Sequence, residues 1–340
     1  MTDENRQQNS RPGADGTRRR VLTAAALAPV LAGASGVARA QSTEASTARG
    51  PRRVPVPPVQ TALADWRDVG AVLGRPGDLK RNVMYHTGLP RRDLRVVSRG
   101  VVVEPALALG SHVSFVRYAD GGTMLMGDVV VTEDELQTFS DVLYEHGIAQ
   151  TAIHKHLLSQ KPDIWWVHVH AHGHDPLVLA RGLRAAFDRT GTPPPAPAAQ
   201  PRPGALDTAG IDAAMGVKGV FDERIYKSTF VRRETVTDGA RVLPPGLGAT
   251  TAINFQPLGG GRAAVSGDCA LIAGEVQVAL MALRRSGAQL VELHSHGLTD
   301  EPRLFFVHFW AVGDAVRLAR GLRTAVNATD VVPMAGAAGG

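Results

Sequence analysis

A chain of 340 residues with 37 basic and 32 acidic side chains and a single cysteine already excludes several classes of protein. Residues 1–40 carry six Arg and three acids, so the remainder holds 31 basic and 29 acidic residues, a net of +2. That balance argues against nucleic acid or an anionic membrane surface as partner. Cys269, being alone, permits no intrachain disulfide, so stability must come from the core.

The N-terminus reads as an export signal. Thr17-Arg18-Arg19-Arg20-Val21-Leu22 fits a twin-arginine motif, residues 21–37 are moderately apolar and rich in Ala and Gly, and Ala38-Arg39-Ala40 is a small-x-small cleavage site. Residues 1–40 are therefore assigned as signal, with Gln41 as the first mature residue. The apolar run is shorter and more Gly-interrupted than a permanent span of ~20 residues, and no lipid-accepting cysteine stands near the cleavage site. The expected partner is the twin-arginine export machinery. The expected location is the periplasm or the extracellular or cell-wall side, without a membrane anchor after cleavage. Residues 41–61, rich in Ser, Thr, Arg and Pro, are expected to be flexible.

Beyond residue 61 the chain is a duplication. The segment from Ile153 to Asp175 returns 140 residues later, so that His154, His156, Pro162 and His168 recur as His294, His296, Pro302 and His308. The first repeat is placed at 62–189 and the second at 205–328, joined by a Pro-rich linker at 190–204 and followed by a tail at 329–340. In chain order, strands are predicted at 83–91, 113–118 and 124–131, repeated at 224–232, 251–256 and 264–271. In the first repeat Thr132 is a plausible N-cap before Glu133-Asp134-Glu135. Leu136, Phe139, Val142 and Leu143 come next with the spacing of one helical face. Gly147 and Gly287 end the two equivalent helices. Two His-bearing strands come after the helix, and each copy closes with a second helix, 176–187 or 315–326, sharing the string Leu-Ala-Arg-Gly-Leu-Arg. Each repeat thus reads β-β-β-α-β-β-α, an α+β layer sandwich, and the two are expected to pack as a pseudo-twofold pair.

The chemistry lies in the histidines. From Trp165 to His174 the odd positions are apolar while His168, His170, His172 and His174 occupy the even ones, which places the imidazoles on one strand face. A hairpin centred on residue 161 would set His154 opposite His168, with cross-strand Cβ atoms ~5 Å apart. Several imidazoles could then share one cation at ~2.0–2.1 Å per bond. The second copy keeps His294, His296 and His308 but has Trp310, Val312 and Asp314 where the first has His170, His172 and His174. The first copy is therefore the richer candidate. The donor set suits zinc first, and also copper, nickel or iron. Asp128, Asp268 and Glu292 are candidate carboxylates beside the ligands, although Asp128 and Asp268 each follow a Gly, which favours a turn role. The competing view of the histidines is a polar seam between the repeats. Cys269 reads as buried rather than nucleophilic. The recurring Arg91-Arg92-Asp93 and Arg232-Arg233-Glu234 read as a solvated charged edge or, more sharply, an anion contact. No Gly-x-Ser-x-Gly, P-loop or His-Glu-x-x-His pattern occurs, so catalytic residues are not assigned.

The string Met126-Gly127-Asp128, Glu135, His146-Gly147-Ile148, Thr151-Ala152-Ile153-His154-Lys155-His156, Pro162 and His168 resembles the LppY/LpqO family of exported bacterial proteins. The second copy matches through Ser266-Gly267-Asp268, Glu275, Gly287, Leu293-His294-Ser295-His296 and Pro302 to His308. The resemblance implies an exported protein whose domain has no established activity. Two functions are carried forward. The first is transition-metal binding through His154, His156 and His168, extended by His170 and His172, with His294, His296 and His308 as the second-copy set. The alternative is a non-catalytic envelope protein that binds peptidoglycan, another wall polymer or a small ligand, with Trp165, Trp166 and Trp310 as stacking surfaces.

Overall fold

The computed structural model describes residues 54–196 and 205–334. The export signal, its cleavage site and the part of the linker at 197–204 lie outside the described residues. The described residues of both repeats pack together in one compact unit.

In the first repeat the elements are α1 (Arg67–Leu73), β1 (Asp78–Lys80), β2 (Met84–Pro90), β3 (Gly110–Arg117), β4 (Thr123–Thr132), α2 (Glu133–Glu145), β5 (Ala149–His154), β6 (Ile164–Gly173) and α3 (Pro176–Phe187). The second repeat returns them as α4 (Thr208–Met215), β7 (Val220–Asp222), β8 (Ile225–Arg232), β9 (Thr250–Gly259), β10 (Arg262–Ile272), α5 (Val276–Arg285), β11 (Gln289–His294), β12 (Leu304–Asp314) and α6 (Ala315–Val326). A last strand, β13 (Val331–Pro333), pairs with β8, so part of the expected tail belongs to the second sheet. The sheets are antiparallel with equivalent orders, β1-β2-β3-β4-β6-β5 and β7-β8-β9-β10-β12-β11.

The strands and helices read from the sequence recur here, but each repeat also opens with a helix and a short strand that the pattern did not reveal. Both opening helices are short and carry an internal glycine, Gly70 or Gly210, so no long amphipathic run marks them. Helix α2 starts as expected: the Thr132 side chain accepts from Glu135 N, and the Glu135 carboxylate accepts from Thr132 N. Gly147 and Gly287 follow α2 and α5 in the left-handed region at φ 65° and 88°.

Strand alternation sorts the core into layers. Val113, Phe115, Leu125, Val129, Val167 and Val169 pack with α1, α2 and α3 on one face of the first sheet. Phe255, Val265, Leu271, Val307 and Phe309 do the same with α4, α5 and α6 in the second. The opposite faces meet each other. Met84, Val116, Met124 and Met126 share a cluster with Ala270, Leu304 and Phe306, and Val130, Ile164 and Trp166 share one with Ile225, Ala264 and Trp310. With both faces covered, β4 is buried along nearly its whole length. Segment 56–61 was expected to be flexible, yet it is tied across both repeats: Val56 N donates to Ala240 O, Val242 N to Val56 O, and Thr61 N to Asn82 O.

Of each recurring Arg-Arg pair the second, Arg92 or Arg233, is exposed, while the first is buried. Arg91, 1% exposed, donates to Asp93, to both Glu135 oxygens and to Val130 O. Arg232 repeats the arrangement with Glu234, Glu275 and Ala270 O. Each guanidinium is fully used in joining the end of a strand to the first turn of a helix. Removing it leaves partly buried carboxylates without a counter-charge, so Arg91→Ala should lower unfolding stability by about 3 kcal/mol. Urea unfolding checks this, and a loss below ~1 kcal/mol, the range of an exposed pair, would contradict it.

Candidate metal centre

The hairpins carrying the His-x-His strings form the inner edge of each sheet, β5 beside β6 and β11 beside β12. Their register differs from the one centred on residue 161. His154 pairs with Trp166, and Ala152 pairs with His168. A bulge between Gln150 and Ala152 inserts Thr151 as an extra residue, and an equivalent bulge lies between Leu290 and Glu292. The bulge resets alternation, so that Gln150 faces helix α2, where its Nε2 donates to Ser140 Oγ, while His154 turns to the face between the sheets.

There the two repeats combine their imidazoles. His154 stacks on His294 at 4.1 Å between ring centroids and on His168 at 4.6 Å. His156 lies 3.8 Å from His308, and the equivalent pair, His296 and His168, lies at 4.1 Å. Each contact is thus returned by its repeat-equivalent, the isologous pattern of a twofold-related pair. Among these six rings, the sets whose ligand atoms lie within 4.8 Å of one another are His154, His168 and His294, and His154, His156 and His308. Both mix the repeats. The first copy does not hold the centre alone, and the second does more than complete the fold.

The nitrogens are oriented. His168 Nδ1 lies 3.3 Å from Gly127 O, and His308 Nδ1 lies 3.2 Å from Gly267 O. A proton donated to these carbonyls leaves a lone pair on each Nε2, the tautomer control seen around metal-bound imidazoles. His154 and His156 share one proton between Nε2 atoms 2.9 Å apart. Nδ1 of His154, Nε2 of His168, His296 and His308, and both nitrogens of His294 are buried without hydrogen-bond partners. So many orphaned polar atoms in one place call for an explanation.

The carboxylates close the arrangement. Asp128 is the cross-strand partner of His168, and Asp268 of His308. Asp128 Oδ2 is 3.2 Å from His156 Nε2, and Asp268 Oδ2 is 3.2 Å from His296 Nε2. Both sit in mid-strand, so the turn role read from Gly-Asp is wrong. The glycine serves the packing instead: a Cβ on Gly127 would sit 2.6 Å from His112 O, and one on Gly267 would sit 2.6 Å from Ala252 O. Glu292 holds the hairpins together, accepting from Lys155 N at 2.8 Å.

His170 and His172 are not part of this centre. They reach Asp238 of the second repeat, a residue the sequence did not single out. His174 lies beyond the end of β6 and is exposed. Trp166 and Trp310 are buried at 1% exposure and cannot serve as stacking surfaces. Trp165 is partly exposed beneath Lys155 Nζ. Cys269 is buried, and burial pushes its thiol up, as expected of an inert side chain.

A cavity of about 750 Å³ opens onto the cluster, lined by His156, His168, His296 and His308 together with Asp128 and Asp268. Its other walls include His112, Ser114 and Asn254. Burial, and then the neighbouring imidazoles, hold His154 and His156 well below the ordinary histidine range. His168, His296 and His308 are likewise well below it and His294 is lowered, burial being the largest cause in each. Burial raises the Asp268 carboxyl. The rings are neutral at neutral pH, which is the ligating form.

The fold and site define a class: a duplicated, mainly β-sheet body with a histidine-rich centre shared between its halves. Residues 67–189 and 209–328 each match the family described as Domain of Unknown Function (DUF1259), and the chain belongs to that family in two tandem copies. No curated protein matches the chain. Among solved structures, it aligns with a trimeric bacterial microcompartment shell protein, PduB, at 10% identity over 74% of this chain and 93% of that one, with a TM-score of 0.18. The double-ringed trimeric shell protein MSM0271 from the RMM microcompartment aligns at 14% identity over 72% and 93%, TM-score 0.18. EtuB from Clostridium kluyveri aligns at 11% over 74% and 92%, TM-score 0.17. Superpositions this poor establish no shared fold.

The glycine carbonyls and the buried rings can each be tested. Gly127→Ala forces apart the backbone whose carbonyl orients His168, so any metal taken up at the cluster should be held at least tenfold more weakly, measured by competition with a chromophoric chelator. Unchanged affinity would show that the carbonyl does not set the ring. As for the rings, unfolded imidazoles titrate near 6.5 whereas the folded ones lie well below. Between those values the unfolded chain binds more protons. Stability of the chelator-treated protein is thus fully present above about pH 6.5 and falls as pH drops below it, by up to ~1.4 kcal/mol per pH unit for each proton. Asp268 acts in the opposite sense but is one group against several. Melting temperature measured from pH 7.5 to 5 should decline, and a flat profile would count against buried neutral rings.

Proposed function

We propose that the protein binds a divalent transition metal at the centre shared by its two repeats. His154, His168 and His294 form one ligand set and His154, His156 and His308 the other. The carrying observation is the convergence of buried, unpartnered imidazole nitrogens from both copies. A neutral, nitrogen-rich donor set favours zinc, with copper, nickel or iron served by the same chemistry. His168 and His308 would ligate through Nε2 while Nδ1 stays on a glycine carbonyl. Asp128 and Asp268 lie 3.2 Å from His156 and His296, close enough to orient those rings beside a bound ion. When bound, the ion supplies a Lewis-acid centre at the inner wall of the cavity.

The reading includes export. The twin-arginine pattern and the resemblance to the LppY/LpqO family support a protein that folds, loads its metal and leaves the cytoplasm without an anchor. N-terminal sequencing of the exported product should begin at Gln41.

Elemental analysis of untagged protein tests the metal. At least one equivalent per chain is expected, lost in both His154→Ala and His294→Ala. Added zinc should raise the melting temperature of the wild type. Protein that is metal-free as purified and unshifted by zinc, copper, nickel, iron or manganese would overturn the proposal.

A further inference from the structure

The extended run of the first copy ends in a second cluster. On β6, His170 and His172 follow His168 along the same strand face. Their Nε2 atoms lie 2.9 Å and 2.7 Å from a single oxygen, Oδ2 of Asp238. Asp238 belongs to the second repeat, in the short strand Thr237–Asp238. Its other oxygen, Oδ1, accepts from Thr299 Oγ1, which fixes the carboxylate plane and leaves Oδ2 for the imidazoles.

A plain ion pair accounts for part of this but not all. His172 Nε2 makes a hydrogen bond to Asp238, whereas His170 Nε2, although close, is buried without a hydrogen-bond partner. Beside it lies a void of about 10 Å³, lined by His170, Asp238 and Asp300, the size of one water or ion. Asp300 is itself occupied, with Oδ1 on Arg303 and Oδ2 accepting from Leu304 N. It therefore contributes negative charge rather than a free ligand. The cluster also occurs only once among the described residues. The sequence equivalents of His170 and His172 are Trp310 and Val312, and Ser98 stands where Asp238 does in the repeated short strand.

We propose that His170, His172 and Asp238 form a second divalent-metal site, of the two-histidine, one-carboxylate kind, sharing no ligand with the six-histidine centre. Their donor atoms lie within 4.8 Å of one another, and a bound ion needs them spread only to the ~3.3 Å set by ~2.0–2.1 Å bonds. Two imidazoles and one carboxylate leave coordination positions for water or an exogenous ligand, as catalytic rather than structural sites do. Through His172, whose side chain is 31% exposed, the site reaches the surface. Its ion should exchange faster than one in the buried centre. The added carboxylate suits zinc, iron(II) or manganese(II).

Equilibrium dialysis of the full chain against zinc, with cobalt(II) absorption as a second readout, tests this. The wild type should hold one equivalent more than His170→Ala/His172→Ala or Asp238→Asn, and that equivalent should exchange first. It should persist in His154→Ala/His294→Ala. His172→Gln, which keeps a polar side chain near Asp238, serves if the double variant fails to fold. Equal stoichiometry in the wild type and the His170, His172 and Asp238 variants would overturn the second site and leave the first standing. Metal lost only in those variants would support the second site and overturn the first.

Discussion

The structure depends on burying imidazoles between its two sheets. Two sheets, each covered by helices on one face, must bury their other faces against each other, and histidines stand at the centre of that contact. A charged imidazolium there would pay heavily for desolvation, so the rings are held neutral. Neutral rings still carry one donor and one acceptor each. Two glycine carbonyls and one shared proton satisfy only part of that demand. In the proposed function a cation accepted by the remaining lone pairs would resolve the conflict, since ligand nitrogens from both repeats lie within 4.8 Å of one another.

Duplication explains how such a centre is made. A single copy offers a sheet with one face exposed and one imidazole-bearing edge that has no partner. Joining a second copy in the same chain buries that face and completes each ligand set with a histidine from the other half. Cross-repeat hydrogen bonds then hold the hairpins in place. Thr151 Oγ1 donates to His296 O, Lys155 N donates to Glu292 and Gln256 Nε2 donates to Val102 O. Glu292 has Ala152 as its counterpart, so the duplicate has diverged even at the seam, while the His-x-His…His skeleton is unchanged.

Strand identity, helix capping and the face of each histidine were legible in the sequence because they rest on local periodicity. His168, His170 and His172 alternate with Val167, Val169 and Ala171, and the structure puts those valines among the helices. What was not legible depended on distance in sequence. The bulge at Thr151 carries no local signature, and without it the register slips and His154 finds the wrong neighbour. Asp238 lies far from His170 in the chain, and only the packing of one repeat on the other brings them together. The Gly-Asp pair was misread for a related reason. Glycine followed by aspartate is ordinary turn chemistry, and only its occurrence at the same point of two buried strands argues for close backbone approach with a carboxylate behind it.

The charges around the large cavity decide what it can admit. Of its cationic side chains, Arg92 is paired with Glu223 and Lys227 with Asp222, so neither is free to attract an anion. Asp128 and Asp268 face the cavity with only neutral imidazoles near them, and each has an oxygen buried without a hydrogen bond. The inner end is therefore negative, in a region where low dielectric strengthens the field. Such a wall favours cations over anions, and burial, with Asp128 adding to it, holds the Asp268 carboxyl toward its protonated form. A divalent ion at the proposed centre would draw the Asp268 carboxyl back toward its charged state and offset the negative charge of this wall.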